Sequence, residues 1–336
     1  MKRIALPLLA LLLIAVALVS LYLGKYRLPL ADILAFAGWK TAGGVELTTE
    51  QRSLLTNVLF DIRLPRIMAA ILIGASLSVS GAAFQALFIN PLVSPGLLGV
   101  LAGASFGAAL GMIFSKSWLA VQCSTLLFGF AAVGVAVSIA RIFRAHSIIM
   151  LVLGGIISGA FFTASLSIVK YAADPSNQLP AIVYWLMGNL SAVDGRTMLL
   201  VSLPMLLGMI VLILNGGRLN AMSMGEEEAK SLGINVSRVR MTVVFLSTLI
   251  SALTVMIGGI IGWVGLIIPH ICRMLVGPDN RLLLPAAALA GAVYLLVVDN
   301  VSRLMFSFEI PTGIVTSLIG IPFFVLVLKN AHRSWR

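Results

Sequence analysis

The chain carries few charged residues, and acidic residues are especially scarce. Only 10% of its 336 residues are charged, with 12 Asp and Glu against 23 Lys and Arg. Soluble domains average about 25% charged residues. Here 60% of the residues are hydrophobic and the mean hydropathy is +1.08. This composition excludes an ordinary soluble domain and predicts an integral membrane protein.

Several chemical signatures are also missing. The two cysteines, Cys123 and Cys272, lie far apart in apolar runs, which argues against a disulfide framework or a CxxC metal site. No GxxxxGK[ST] phosphate loop, HExxH pair or nucleophile elbow occurs in the sequence. The sequence therefore predicts a chain that is not an enzyme, binds no metal or cofactor of its own and does not bind ATP by itself.

Acidic residues are nearly absent from the deep parts of the apolar segments, and Asp299 is the nearest candidate. An ion-coupled transporter usually places ionisable groups there, because the coupling ion needs a partner. The chain therefore reads as a conduit without its own energy source. An ion-coupled secondary transporter or channel is the alternative.

The apolar segments are continuous rather than alternating, which favours spanning helices over a β-barrel. They predict an all-α polytopic membrane protein with about ten transmembrane helices in a single domain, 1–336. The first apolar segment follows Lys2 and Arg3 like a signal peptide. It lacks a small-x-small cleavage site, so we expect an uncleaved helix. The ten expected spans are 4–23, 65–88, 96–114, 118–139, 147–170, 196–215, 240–258, 260–275, 283–304 and 311–329.

Charge predicts the topology. An even number of spans places both termini on one side, and basic residues flank both ends of the chain. By the positive-inside rule both termini are expected to be cytoplasmic. The net charge of +11 then reflects basic cytoplasmic loops rather than a nucleic-acid partner. The segments 24–64 and 171–195 are expected to be the long connections, the second with a short helix at the outer membrane face.

Small residues are patterned in two of the spans. Glycines recur every four residues from Gly99 to Gly111, a spacing that lets helix backbones approach closely in lipid. The span 147–170 is also rich in small residues. Tight helix packing and a wall of a translocation pathway are both open interpretations there. The candidate pathway-lining residues are Gly155, Ser158, Gly159 and Thr163.

The polar insert 217–240 reads GRLNAMSMGEEEAKSLGINVSRVR. Three glutamates, Glu226–Glu228, suit the positive end of a short helix dipole, and Gly233 suits a helix stop. A short charged helix between two spans on the cytoplasmic side is a natural docking element for another protein. A solvated loop is the alternative.

Several longer stretches carry a resemblance to a known family. EEEAKSLGINV at 226–236 resembles the cytoplasmic coupling segment of ABC-transporter permeases. RLPR at 63–66, SGAAFQALFINPLVSPGLLGV at 80–100, GWVGLIIPHICRMLVGPDNRLLLP at 262–285 and IPTGIVTSLIGIPFFVLVL at 310–328 resemble the FecCD family. Members of that family are permeases of type II ABC importers for ferric siderophores, haem and cobalamin. The resemblance covers essentially the whole chain in order.

The resemblance implies partners and a location. The permease would be a homodimer, surrounded by lipid in a bacterial or archaeal cytoplasmic (inner) membrane. Two separate ATP-binding subunits would hold ATP and Mg²⁺, and an extracytoplasmic binding protein would deliver the substrate. A metal chelate is the expected cargo. A minority of relatives are implicated in molybdate or tungstate uptake, so an oxyanion is the alternative.

The resemblance also assigns site residues. At the end of the span 260–275, Pro269 is expected to loosen the helix, with His270 and Arg273 near headgroups or the ATPase. Coupling to the ATPase would use Met224, Gly225, Glu226, Glu227, Glu228, Ala229, Leu232 and Gly233. An inner gate would use Asn90, Pro91 and Leu92, together with His146 and Ser147. Docking of the binding protein would use Arg63, Arg66 and Arg303 at the outer face.

Overall fold

The structure is a computed structural model. It describes residues 2–26, 28–36, 38, 47–115, 117–143 and 148–334. Within these ranges all regular structure is helical. The helices are α1 (Lys2–Tyr22), α2 (Leu30–Phe36), α3 (Thr49–Thr56), α4 (Leu64–Leu87), α5 (Val100–Phe114), α6 (Trp118–Ile142), α7 (Ile148–Ala172), α8 (Gln178–Leu186), α9 (Gly195–Leu214), α10 (Gly216–Met222), α11 (Glu226–Ser231), α12 (Val236–Gly258), α13 (Val264–Val276), α14 (Asn280–Leu304) and α15 (Thr312–Ser334).

Ten of these helices correspond to the expected spans. In the described part of the chain, seven helical segments are long and apolar enough to cross a membrane by length and composition. Three shorter apolar helical segments, Val100–Phe114, Val264–Val276 and Thr312–Leu326, complete the set. The polytopic all-α prediction is therefore confirmed. The cytoplasmic placement of both termini stays a prediction.

The connection 24–64 is more ordered than expected for a loop. It contains α2 and α3, and α3 continues through a π-helical segment, Asn57–Arg63, directly into α4. Thr48 begins α3 with a capping box, in which its side chain accepts from Gln51 N and the Gln51 side chain accepts from Thr48 N. This reciprocal cap satisfies two backbone donors that a helix start leaves open. Residues Thr49–Leu87 thus form one continuous helical segment of 39 residues.

Helix α4 is the centre of the fold. It packs against α9, α12, α13 and α14, and nearly all of its residues are buried. Two glycine pairs bring backbones together. A Cβ atom on Gly74 would lie 2.2 Å from Gly291 O in α14, and one on Gly81 would lie 1.9 Å from Gly265 O in α13. No side chain larger than hydrogen fits at either place.

Glycine spacing also explains the contact of α5 with α6, as expected. A Cβ atom on Gly103 would lie 2.3 Å from Phe128 O, and one on Gly107 would lie 2.3 Å from Ser124 O. The Ser124 hydroxyl donates to Gly107 O across 2.7 Å. The four-residue repeat therefore forms a close helix–helix contact, which confirms the packing interpretation for this helix.

The stretch 262–281 forms a short helix and a turn. Helix α12 ends at Gly258, and Gly259 and Trp263 have φ values of +68° and +70° in the break before α13. The turn after α13 ends in Asp279, which caps α14 by accepting from Arg281 N. The Asn220 side chain also donates to Asp279, and this bond, with the one from Arg281 N, holds the pKa of the Asp279 carboxyl below its usual value.

The structure shows the surroundings of Pro269 and Arg273, and the expected location of His270 and Arg273 near headgroups or the ATPase stays a prediction. Pro269 lies inside α13 and is buried, and the helix continues past it to Val276. Arg273 Nη2 donates to Gln85 Oε1 of α4 at 2.5 Å. Arg273 is therefore engaged with a neighbouring helix of the same chain rather than standing free at the end of its own.

The α4–α14 contact yields a prediction with an internal control. Gly74→Ala should lower stability by about 1–3 kcal/mol, because the added methyl group meets a backbone carbonyl that cannot rotate away. Gly134→Ala in α6 is the matched control, since a Cβ atom there has no neighbour within 4 Å. Thermal unfolding of detergent-purified protein measures both. Equal shifts for the two variants would contradict the role assigned to Gly74.

Candidate functional site

The insert 217–240 forms a compact helical hairpin. Helix α10 leads to α11 through Gly225 at φ +125°, and Gly233 at φ +77° follows α11. The three consecutive glutamates occupy the first turn of α11, where negative charge suits the helix dipole. The Gly233 N–H donates to Lys230 O at 2.9 Å. The predicted short helix and its glycine stop are confirmed.

The faces of this hairpin are unequal. Met224 and Leu232 are 68% and 64% exposed, whereas Ala229 is fully buried. Glu227 and Glu228 are exposed. Glu226 is half-buried and forms an ion pair with Arg240 of α12.

A correction to the coupling set follows. Ala229 belongs to the internal core of the hairpin, because it is fully buried while its neighbours Glu228 and Lys230 are exposed. Glu226 is engaged with α12. Of the predicted coupling residues, Met224, Glu227, Glu228, Leu232 and Gly233 are exposed, and their contact with a partner protein stays a prediction.

The predicted inner-gate loop lies between α4 and α5. Asn90, Pro91 and Leu92 are exposed, and Asn90 Oδ1 accepts from Leu92 N at 2.9 Å. This local bond makes the segment a tight turn. A narrowing across a dimer axis stays a prediction. His146 and Ser147 lie outside the described residues.

Gln85 anchors this loop, and sequence reasoning missed it. Its side-chain nitrogen lies 3.4 Å from both Val93 O at the end of the loop and Gly265 O in α13. Its oxygen accepts from Arg273. One buried amide thus joins α4, the loop and α13. A lone glutamine within an apolar run was the available sequence signal.

The small-residue face of α7 is largely a packing surface. A Cβ atom on Gly155 would lie 2.3 Å from Leu97 O. The Ser158 hydroxyl is fully buried and donates to Ala132 O at 2.6 Å. Gly155 and Ser158 therefore do not line an open pathway in this structure, because neighbouring helices cover them. Thr163 is exposed and Gly159 is half-buried, so only these two retain the pathway prediction.

The three arginines predicted to dock a binding protein are not exposed. Arg63, Arg66 and Arg303 are 3%, 7% and 5% exposed. Arg63 donates to three backbone carbonyls at the end of α1 and just beyond it. These belong to Leu21, Tyr22 and Tyr26.

Arg66 and Arg303 converge on one carboxylate. Arg66 Nε donates to both oxygens of Asp299, at 2.9 and 3.1 Å. Arg66 Nη1 donates to Glu309 Oε2 at 3.0 Å. Arg303 Nε lies 3.7 Å from Asp299 Oδ2. We call Arg66, Asp299, Arg303 and Glu309 the ion cluster. It joins α4 to α14 and to the segment before α15.

The ion cluster corrects the picture of free surface cations. A charge inside a membrane-spanning bundle is costly unless an opposite charge compensates it, and Asp299, itself fully buried, provides that compensation. Arg66 and Arg303 act as internal ties in the isolated chain. Docking of a binding protein at these residues stays a prediction. It would require that the bonds of the arginines to Asp299 and Glu309 break or rearrange.

The architecture defines the class before any comparison. In the described part of the chain, ten apolar helices form a bundle with one of them, the buried helix α4, at its centre. The hairpin α10–α11, with exposed apolar and acidic residues, lies between α9 and α12. This arrangement is that of a polytopic membrane protein with a small polar insert between two of its spans.

The chain belongs to the FecCD transport family, whose family model matches residues 11–330. It is 42% identical to the molybdate import system permease protein MolB of Haemophilus influenzae, over 96% of this chain and 94% of the relative. It is 38% identical to the vitamin B12 import system permease protein BtuC of Vibrio cholerae, over 84% and 86%. It is 34% identical to the hemin transport system permease protein HmuU of Yersinia pestis, over 98% and 97%.

A solved structure supports the same assignment. The chain superposes with a TM-score of 0.85 and 40% identity on a structure described as an inward-facing conformation of a metal-chelate type ABC transporter, covering 96% of this chain and 98% of that one. The protein is therefore an ABC-transporter permease, a multi-pass protein of the inner membrane.

The ion cluster generates a graded prediction. Asp299→Asn should cost about 3–5 kcal/mol of stability, because it leaves two buried guanidinium groups without their shared counter-charge. Glu309→Gln should cost about 1 kcal/mol or less, because the Glu309 side chain is 27% exposed and water can replace it. Chemical unfolding in detergent measures both, and a cost for Glu309→Gln that equals or exceeds the other would contradict the assignment.

Proposed function

We propose that this chain is the translocation subunit of a binding-protein-dependent ABC importer. The observation that carries the proposal is the end-to-end likeness to import permeases combined with the exposed hairpin α10–α11. The import system permeases MolB and HmuU align over nearly their whole length. The alignments cover at least 94% of each chain, which supports the same overall architecture and the same role.

The energy source lies in another subunit under this proposal. The sequence lacks a phosphate loop, so ATP and Mg²⁺ would bind to two separate ATPase subunits. A homodimer of the permease would enclose the pathway, with Thr163 and Gly159 facing it. An extracytoplasmic binding protein would deliver the substrate, its carboxylates competing with Asp299 and Glu309 for the arginines.

The hairpin suits mechanical coupling. Exposed Met224 and Leu232 offer apolar contacts to a groove on the ATPase, and Glu227 and Glu228 offer charge for orientation. The Glu226–Arg240 ion pair ties α11 to α12. Movement of the ATPase would therefore reach α12, which packs directly on the central helix α4.

Two cargo classes have support. The sequence favours a metal chelate, and the haem and vitamin B12 relatives agree with it. An oxyanion of the molybdate class is favoured by the higher identity to MolB, 42% against 38% and 34%. We propose the oxyanion as the cargo to test first.

Calorimetry on the cognate binding protein distinguishes these classes. Molybdate or tungstate should bind tightly, and sulfate, which has the same shape but a smaller radius, is the control. Ferric siderophore, haem and cobalamin form the second arm. Tight binding of any of these three, with no heat from the oxyanions, would assign the chelate class instead.

The coupling role predicts a separation of folding from transport. Met224→Ser combined with Leu232→Ser should reduce ATP-driven uptake in proteoliposomes by about tenfold or more, since full burial of an exposed Leu or Met side chain against a partner contributes about 1.5–3 kcal/mol. Ser231→Ala, in the same exposed turn, is the control. Full uptake by the double variant would remove the hairpin from the coupling interface.

A further inference from the structure

A cavity of about 260 Å³ lies beside the hairpin, between α6, α7, α11 and α12. Its charged lining comes from three separate elements. Arg141 lies in the last turn of α6, Lys230 in α11 and Arg240 in α12. Among the residues that the structure describes, Glu226 is the one acidic residue that lines the same cavity. Three cations against one carboxylate leave an excess of positive charge.

Two of the three basic residues, Arg141 and Lys230, are not paired with a carboxylate in the described part of the chain. Both are exposed. Basic residues that only flank a membrane span need not face one another. Arg141 and Lys230 line the same cavity from two different helices, and contact with membrane headgroups alone does not require that arrangement.

The remaining lining is apolar and belongs to spanning helices. Val137 and Ala140 come from α6, Leu151 from α7, and Val244 from α12. Ile142, 74% exposed, lies one residue beyond Arg141 on the outside of the bundle. The cavity therefore has a basic end and an apolar wall formed by spanning helices, and the neighbouring Ile142 belongs to a surface expected to face lipid.

We propose that this cavity binds the headgroup of an anionic phospholipid, with an acyl chain along its apolar wall. Basic pockets between transmembrane helices on the cytoplasmic side bind acidic headgroups in this manner. The cavity is large enough for a phosphate-containing headgroup and too small for a whole lipid. The cavity also has an apolar wall. A free inorganic anion would leave that wall without a partner, whereas an acyl chain would cover it.

The location gives the lipid a regulatory meaning, which rests on the proposed function. A phosphate beside Arg240 would share that guanidinium with Glu226, whose ion pair ties α11 to α12. Anionic lipid would then adjust how firmly the coupling hairpin is held. Binding itself needs no transport activity, so the binding experiment can fail or succeed independently of the importer assignment.

The test uses full-length permease in detergent and fluorescence quenching. Ser237 is exposed and lines the cavity. A Ser237→Cys variant in a Cys123→Ser background can carry a fluorophore there, since the other cysteine, Cys272, is buried. Phosphatidylglycerol with brominated acyl chains should quench the label more strongly than phosphatidylcholine with the same chains.

The variants locate the headgroup contact. Arg141→Gln with Lys230→Gln should weaken phosphatidylglycerol binding about 30-fold, because each basic group near an acidic headgroup contributes about a fivefold factor. Arg141→Lys with Lys230→Arg should bind like wild type. Arg238→Gln with Arg281→Gln removes the same charge outside the cavity and should leave binding unchanged.

Three outcomes would overturn the proposal. Equal quenching by the two lipids shows no headgroup selection. Equal weakening by the outside-charge variant shows only a general surface attraction. Displacement of the lipid by inorganic phosphate at millimolar concentration shows a free-anion site. If the glutamine variant does not fold, the lipid preference of wild type and of the charge-conserving variant still decides the question.

Discussion

Direct contact between helix backbones around α4 is the constraint on which the rest of the molecule depends. Lipid offers helices no hydrophobic reason to associate, so packing and close approach must supply it. Gly74 against Gly291 and Gly81 against Gly265 bring α14 and α13 against α4 along much of its length. The central helix α4 is thereby buried, and this packing fixes the positions of Arg66 at its start and Gln85 near its end.

Those two ends are held in different ways. At the start of α4, Arg66 joins the ion cluster through charged hydrogen bonds near 3 Å. At the other end, Gln85 holds the loop 89–94 through neutral contacts at 3.4 Å. Charge-assisted bonds are shorter and stronger than neutral ones. Gln85 itself also accepts a charge-assisted bond from Arg273 at 2.5 Å, so the weakly held element is the loop 89–94 rather than this end of α4.

The hairpin α10–α11 is the place where a force from the ATPase would enter under the proposed coupling role. Its inward residue Ala229 and its tie through Glu226 to Arg240 make it part of the folded core, while its outward residues remain available. The same Arg240 lines the basic cavity. If the proposed coupling role and the proposed lipid site both hold, partner protein, helix α12 and lipid would meet at the guanidinium group of Arg240.

The sequence alone determined the ten spans, the close packing of the glycine face of α5 and the short helix that stops at Gly233, whereas the partner of α5 came from the structure. Each is a local property: a hydrophobic run, a four-residue repeat, or a glycine, which adopts positive φ at little steric cost. Only the tertiary structure decided that the outer arginines are buried and that Gly155 and Ser158 are packed. Arg66 and Asp299 are 233 residues apart, and Gln85 and Arg273 are 188 apart. Burial of a polar side chain depends on which helices become neighbours, and neither composition nor periodicity contains that information.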